Sequence, residues 1–271
     1  MTPVVVGTAA AGHAEAWRFA AALLVGLGLQ VGVNYANDYH DGVRGVDTSE
    51  RIGPPRLTSS GMASPGSVLI AALACIGVAG LAGLALAAAT TWWLVPLGAF
   101  AMLALWLYSG GPRPYAQLGL GEVMVFAFFG VMATAGTAYV QAETVPSAAW
   151  WASAAMGFLA VAILVVNNLR DIDTDRQAKK HTLAVLLGDR ATRAEYVILI
   201  VGAYLSMPLL MLAGSGPWIW LSWLSLPLAI DDLRTIISGT RGRALNPVLK
   251  HTSRLHLAFG ALLALGLLLG R

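Results

Sequence analysis

Charge is what this sequence has least of. Only 11% of its 271 residues are charged, 57% are hydrophobic, and the mean hydropathy is +0.69. A soluble domain carries roughly 25% charged residues, so this chain has too few to face water on every side. Cysteine is almost absent as well. Cys75 stands alone inside an apolar run, which rules out a disulfide framework or a thiol metal centre and assigns it the role of a small buried hydrophobe. No histidine has another four residues away, so the pairing typical of helical zinc sites is missing too.

What is present is a series of apolar runs. Those at 68–89 and 122–140 are broken by little besides Gly, Ser and Thr and come close to the ~20 residues that cross a bilayer. Nine candidate spans emerge, at 2–12, 16–36, 67–90, 92–109, 118–140, 148–167, 194–213, 216–233 and 255–270. The expected fold is an all-α, multi-pass transmembrane helical bundle forming one domain over residues 1–271. The first run is too short to cross ~30 Å of hydrocarbon at ~1.5 Å per residue. It also lacks the basic start of a signal peptide. The expectation is a truncated first helix, with a basic, proline-containing leader upstream.

Basic residues are distributed unevenly. The segments 37–66, 110–117, 168–193 and 234–254 are charged, whereas the other connections are short and lack Lys and Arg. Of the 17 Lys and Arg residues, only Arg18 and Arg271 lie outside the charged side and its flanking helix ends. The positive-inside rule places that side in the cytoplasm, with the N-terminus inside and the C-terminus outside. Trp17, Trp92, Trp93, Trp150, Trp151, Trp218 and Trp220 fall at the opposite helix ends, as an interfacial aromatic belt would.

Two segments on the charged side carry the chemistry. The first reads Asn34-Tyr-Ala-Asn37-Asp38-Tyr-His-Asp41, with Asp47 beyond it; the second reads Asn167-Asn168-Leu-Arg170-Asp171-Ile-Asp173-Thr-Asp175. In each, an Asn stands four residues before the first Asp. Asp38 and Asp41 are spaced i,i+3, and Asp171 and Asp175 i,i+4, so a helix extended one turn past the membrane projects each pair from one face. Carboxylates concentrated in this way repel one another when empty. Mg²⁺ resolves that repulsion, binding through one or two carboxylates plus substrate phosphates. Read without a ligand, the same residues are solvated, helix-capping loops, but the repeated Asn-to-Asp offset favours the metal reading. Basic residues stand nearby for a diphosphate: Arg56 in Arg51-Ile-Gly-Pro-Pro-Arg56, Arg113 in Gly110-Gly-Pro-Arg113-Pro-Tyr115, and Lys180 beside Lys179. Arg suits bidentate phosphate contacts, while Lys acts as a mobile point charge. Glu122 opens the fifth run, where a carboxylate also suits a helix N-terminus.

These blocks, with Leu118-Gly-Leu-Gly-Glu122, Thr182-Leu-Ala-Val-Leu-Leu-Gly188 and Leu245-Asn-Pro-Val-Leu-Lys250, resemble the UbiA-type intramembrane prenyltransferases over nearly the whole chain. Gly-Gly-Pro-Arg-Pro and Asn-Asn-Leu-Arg-Asp are similar to the menaquinone-synthesis branch. The wider pattern would place a third carboxylate at position 45, which here is Gly45, with Asp47 two residues further on.

The resemblance implies a UbiA-type helical fold and the transfer of a polyprenyl group from polyprenyl diphosphate onto 1,4-dihydroxy-2-naphthoate. The carboxyl-bearing carbon would be alkylated with loss of CO₂ and diphosphate, giving demethylmenaquinol. It further implies that Asp38, Asp41, Asp171 and Asp175 hold Mg²⁺ and that Arg56, Arg113 and Lys180 bind the diphosphate. Asn34, Asn167, Asn168 and Arg170 would contact the acceptor. The alternatives are another aromatic acceptor, such as 4-hydroxybenzoate, or a transporter. Intramembrane acids often mark ion pathways, but here they gather at one mouth and none sits mid-span. A nucleic-acid partner is not expected; the partners are the two substrates and the bilayer of the cell membrane.

Overall fold

The protein is described here from a computed structural model over residues 1–45, 56–111, 114–115 and 118–270. Among these residues every regular element is helical, which suits a chain that must satisfy its backbone hydrogen bonds without water. In order they are α1 (Thr2–Ala11), α2 (Ala16–Arg44), α3 (Pro65–Ala89), α4 (Leu94–Ser109), α5 (Gly121–Ala142) and α6 (Ser147–Gln177). There follow α7 (Leu183–Leu187), α8 (Asp189–Leu212), a 3₁₀ segment Pro217–Ser225 leading into α9 (Leu226–Ile237), and a 3₁₀ turn Gly242–Leu245 leading into α10 (Asn246–Leu269).

All nine apolar runs are helical. Six helices among the described residues are long and apolar enough to cross a membrane: α2, α3, α5, α6, α8 and the stretch Gly242–Leu269. The other three runs fall short of that length for visible reasons. α1 has 10 residues and α4 has 16, about 15 and 24 Å of helix. The run at 216–233 changes from 3₁₀ to α geometry at Leu226. Local sequence explains the starts. Ser64 caps α3 by accepting the Ser67 N–H at 3.2 Å, and Pro65 occupies the first turn, where no N–H is needed.

The chain forms two compact units. One comprises Met1–Phe19, Glu122–Asp173 and Leu183–Arg271. Its core joins Met156, Leu159 and Leu169 of α6 with Ile200 and Met207 of α8 and Phe259 and Leu263 of α10. α6 is its central helix, with 67% of its most apolar stretch buried. α10 packs along the 3₁₀ segment, and α1 lies against both α10 and the second half of α5. Residues Phe126–Met132 of α5 wind as a π-helix. There Gly130 meets α6 so closely that an added Cβ would stand 2.6 Å from the Gly157 Cα. Such small-residue contacts let backbones approach where water cannot drive packing.

The second unit comprises Ala20–Gly121 and Thr174–Thr182. Its small core brings Ala36 of α2, Ala72 of α3 and Leu105 of α4 together. Cys75 is a free thiol, half-buried in α3. Only 17% of the most apolar stretch of α3 is buried, leaving Ile70 and Leu81 69% and 71% exposed. Open apolar side chains on this scale belong against lipid. The seven Trp assigned to the belt are also exposed or nearly so, each at or near a helix start.

Candidate functional site

Both aspartate motifs lie on helices. α2 runs past its apolar stretch to Arg44, and α6 continues to Gln177, so Asp38 and Asp41 share one helical face, as do Asp171 and Asp175. Their surroundings differ. Asp38 is 5% exposed, and its two oxygens accept the backbone N–H groups of Leu57 and Thr58 at 2.8 and 2.9 Å. This pins the turn after Arg56 onto α2. Arg56 itself donates from Nη1 to the Asn34 carbonyl at 3.4 Å, which brings the candidate diphosphate arginine back to the Asn that opens the motif. The Asn34 amide donates to the Gln30 carbonyl one turn earlier, at 2.8 Å.

α2 also holds the connection after α4. Arg44 donates to the Ser109 carbonyl at 2.8 Å and to the Gly111 carbonyl, satisfying carbonyls at a helix end as a basic side chain can. His40 stacks edge-on against Trp106, with ring centroids 4.8 Å apart. Tyr108 and Tyr115 make a second edge contact at 5.4 Å. Burial, and then the neighbouring Tyr108, raise the Tyr115 phenol above its ordinary range, so it remains a neutral hydrogen-bonding group. Arg113 and Asp47 lie outside the described residues. Lys180 reaches Asp175 at 3.9 Å, on the segment that follows α6.

The second motif centres on Arg170, which is 6% exposed. Its guanidinium forks onto Asp171 and also donates to Asn167 Oδ1 at 2.9 Å and Asn246 Oδ1 at 3.1 Å. Asn246, at the start of α10, thus ties the motif to a helix 76 residues further along the chain. Asn168 turns elsewhere and donates to Glu122 Oε1 at 2.9 Å. Behind these groups, Arg193 of α8 clamps Asp189 with two bonds of 2.8 and 2.9 Å. It also donates to the Ile236 and Thr240 carbonyls, closing the end of α9.

Asn34, Asp38, Asp41, Arg56, Asp175 and Lys180 therefore belong to one compact unit, and Asn167, Asn168, Arg170 and Asp171 to the other. Among the described residues no three His, Cys, Asp or Glu side chains cluster as a metal-binding group. The donor chemistry nonetheless suits a hard divalent cation: each helix offers two carboxylates, and such an ion completes its shell from water and substrate phosphate. The sequence did not single out Asn246 as a partner for Arg170, because Asn246 lies on another helix and only the fold brings it to the motif.

The UbiA prenyltransferase family matches residues 1–231. The 1,4-dihydroxy-2-naphthoate octaprenyltransferase of Mycobacterium tuberculosis is 44% identical over 274 residues, covering 100% of this chain and 93% of that protein. The chain belongs to the UbiA prenyltransferase family. The Escherichia coli protein of the same name is 34% identical, covering 99% of this chain and 90% of that one. Among solved structures, the apo form of a UbiA homolog from Aeropyrum pernix K1 superposes with a TM-score of 0.72 over 97% of both chains, at 17% identity. That likeness concerns the fold. A UbiA prenyltransferase with this many apolar helices is an integral membrane protein, and its family works on prenyl diphosphates and aromatic acceptors.

Proposed function

We propose that this chain transfers a polyprenyl group from polyprenyl diphosphate to 1,4-dihydroxy-2-naphthoate, releasing CO₂ and diphosphate and forming demethylmenaquinol for menaquinone synthesis. The observation that carries this reading is the 44% identity, over the whole chain, to a relative bearing that activity in its name. The charge asymmetry supports a cell-membrane location with the charged loops in the cytoplasm.

Asp38, Asp41, Asp171 and Asp175 would hold Mg²⁺, which when bound neutralises the diphosphate and stabilises the departing pyrophosphate. The chain's own groups do the rest. Arg56, Arg113 and Lys180 offset the charge that grows on the leaving group, and charge stabilisation of this kind is usually the largest catalytic contribution. Arg56 is tied to the Asn34 carbonyl, and the turn behind it is fastened by Asp38, so its position depends on the motif it serves. The allylic cation left by diphosphate departure must meet the ring before it meets water, and apolar helices exclude water. Asn34, Asn167, Asn168 and Arg170 present amide and guanidinium groups to an acceptor with two hydroxyls and a carboxylate. Arg170 is the group suited to the carboxylate.

The test supplies membranes containing the chain with labelled polyprenyl diphosphate, Mg²⁺ and one acceptor at a time. Naphthoate-dependent CO₂ release with a lipid-soluble product is the expected result. Transfer to 4-hydroxybenzoate alone, or solute flux without transfer, would overturn the proposal.

A further inference from the structure

One buried carboxyl group is left unassigned by the metal and diphosphate roles. Glu122, at the start of α5, is 6% exposed. Its Oε1 accepts the Asn168 amide at 2.9 Å, and its Oε2 is buried without a hydrogen-bond partner. Leaving a buried polar atom unpaired is costly, and more so for a charged group, so such an atom in a native fold calls for a role. Glu195 of α8 has a buried Oε2 in the same condition and lies within electrostatic reach of Glu122. A second carboxyl group within electrostatic reach disfavours ionising both.

The position gives this pair its meaning. Asn168, Asp171 and Asp175 are spaced i, i+3 and i+7 on α6, so all three share one helical face. Asn168 stands about 4.5 Å along the axis from Asp171, one turn deeper than the aspartates. A group held by Asn168 is therefore displaced from the carboxylate end toward the apolar stretch of α6, as an acceptor ring lying beyond the diphosphate would require. The π-helical segment of α5 begins at Phe126, four residues after Glu122, and such segments frequently adjoin functional sites.

We propose that Glu122, backed by Glu195 and aimed by Asn168, is the proton acceptor and donor for the hydroxyl of the aromatic substrate. This rests on the aryl prenyltransfer read above. The acceptor O–H breaks and its proton passes to Glu122. The carbon–oxygen bond to diphosphate breaks, its pair leaving with pyrophosphate. The oxygen's electron pair then forms a ring carbonyl as the ring double bond supplies the pair that joins the ring carbon to the allylic cation. The carboxylate then departs as CO₂, and its bonding electrons restore the aromatic ring. The proton returns from Glu122 to the ring oxygen. Atoms and charge balance without an external acid, base or oxidant.

The experiment compares wild type with Glu122→Gln, Glu122→Asp and Glu195→Gln in membranes. Glutamine retains an oxygen to accept the Asn168 amide but cannot take the proton. Glu122→Gln should lower kcat for naphthoate prenylation about 100-fold or more, leaving the affinity for a non-hydrolysable prenyl diphosphate analogue unchanged. Glu122→Asp should restore part of the loss, and Glu195→Gln should fall between. The readout that a structural role would not move is an acceptor series. The Glu122→Gln defect should shrink as ring substituents make the hydroxyl more acidic, because an already ionised acceptor needs no base. A Glu122→Gln enzyme with wild-type kcat, or a defect constant across the series, overturns the proton role. Absence of naphthoate transfer by wild type would instead overturn the function on which it rests.

Discussion

The Arg170 guanidinium grips the carboxylate of its own chain neighbour, Asp171, with two bonds, from Nε to Oδ1 at 2.8 Å and from Nη2 to Oδ2 at 2.5 Å. A candidate metal ligand is thus already engaged by a charged fork, which is itself anchored to Asn167 and Asn246. A cation recruiting Asp171 must share it with Arg170, and the guanidinium sets the direction in which the carboxylate points.

Arg170→Ala should therefore reduce prenyl transfer about 10- to 100-fold, the usual effect of removing a group that orients a ligand. Arg170→Lys should recover only part of this, because lysine keeps the charge but not the planar fork. Initial rates across a Mg²⁺ titration provide the check. A Lys variant matching wild type at every Mg²⁺ concentration would contradict the orienting role.

Asp38→Asn should abolish measurable turnover while leaving the protein in the membrane. An amide keeps one acceptor for the Leu57 and Thr58 N–H groups but loses the charge a cation requires. The turn carrying Arg56 should loosen as well, seen as faster protease cleavage after Arg56 in sealed inside-out vesicles. Asp171→Asn should abolish turnover without that loosening, because the turn is fastened by Asp38, whereas Asp171 is held by Arg170. Full activity in either variant would refute the metal-holding assignment.

These motifs were legible because helical periodicity is local. Asn34, Asp38 and Asp41 could be placed on one face from spacing alone, and the apolar runs marked every main helix. What was hidden depends on contacts between distant segments. Glu122 and Asn168 are 46 residues apart, and Arg170 and Asn246 are 76 apart; no periodicity links them. The π-helical turn of α5 was equally invisible, since Phe126–Met132 has the apolar composition of an ordinary span. Its geometry accompanies the close approach of Gly130 to α6, a property of the packed pair rather than of either strip of sequence.

Arg193 offers a stability test separate from chemistry. It is 8% exposed and joins Asp189 to the carbonyls of Ile236 and Thr240. Its loss would strip the buried Ile236 carbonyl of its donor and Asp189 of two charge-assisted bonds, which costs more than a surface pair does. Arg193→Ala should accordingly lower the thermal unfolding temperature in detergent sharply. Arg241→Ala removes only a solvent-exposed partner of the same Asp189 at 3.5 Å, and should cost about 1 kcal/mol or less. Equal shifts for the two variants would contradict the distinction drawn from burial.

Gly130→Val tests whether the α5–α6 contact positions Glu122. Even a single Cβ at Gly130 would meet the Gly157 Cα at 2.6 Å and the Ser153 carbonyl at 3.0 Å, both backbone groups that a rotamer change cannot move. Overpacking of this kind costs about 1–3 kcal/mol when the structure can shift, and here the shift must separate α5 from α6. Because Glu122 and Asn168 sit on those two helices, their 2.9 Å bond should lengthen with the separation. The expected outcome is a folded but less stable protein whose kcat falls while its affinity for a prenyl diphosphate analogue stays near wild type. Gly136→Val, on the same helix where an added Cβ meets nothing within 4 Å, is the control and should leave both quantities unchanged. Loss of activity in the control to the same degree would show that α5 tolerates no bulk anywhere, and the link from packing to Glu122 would fail.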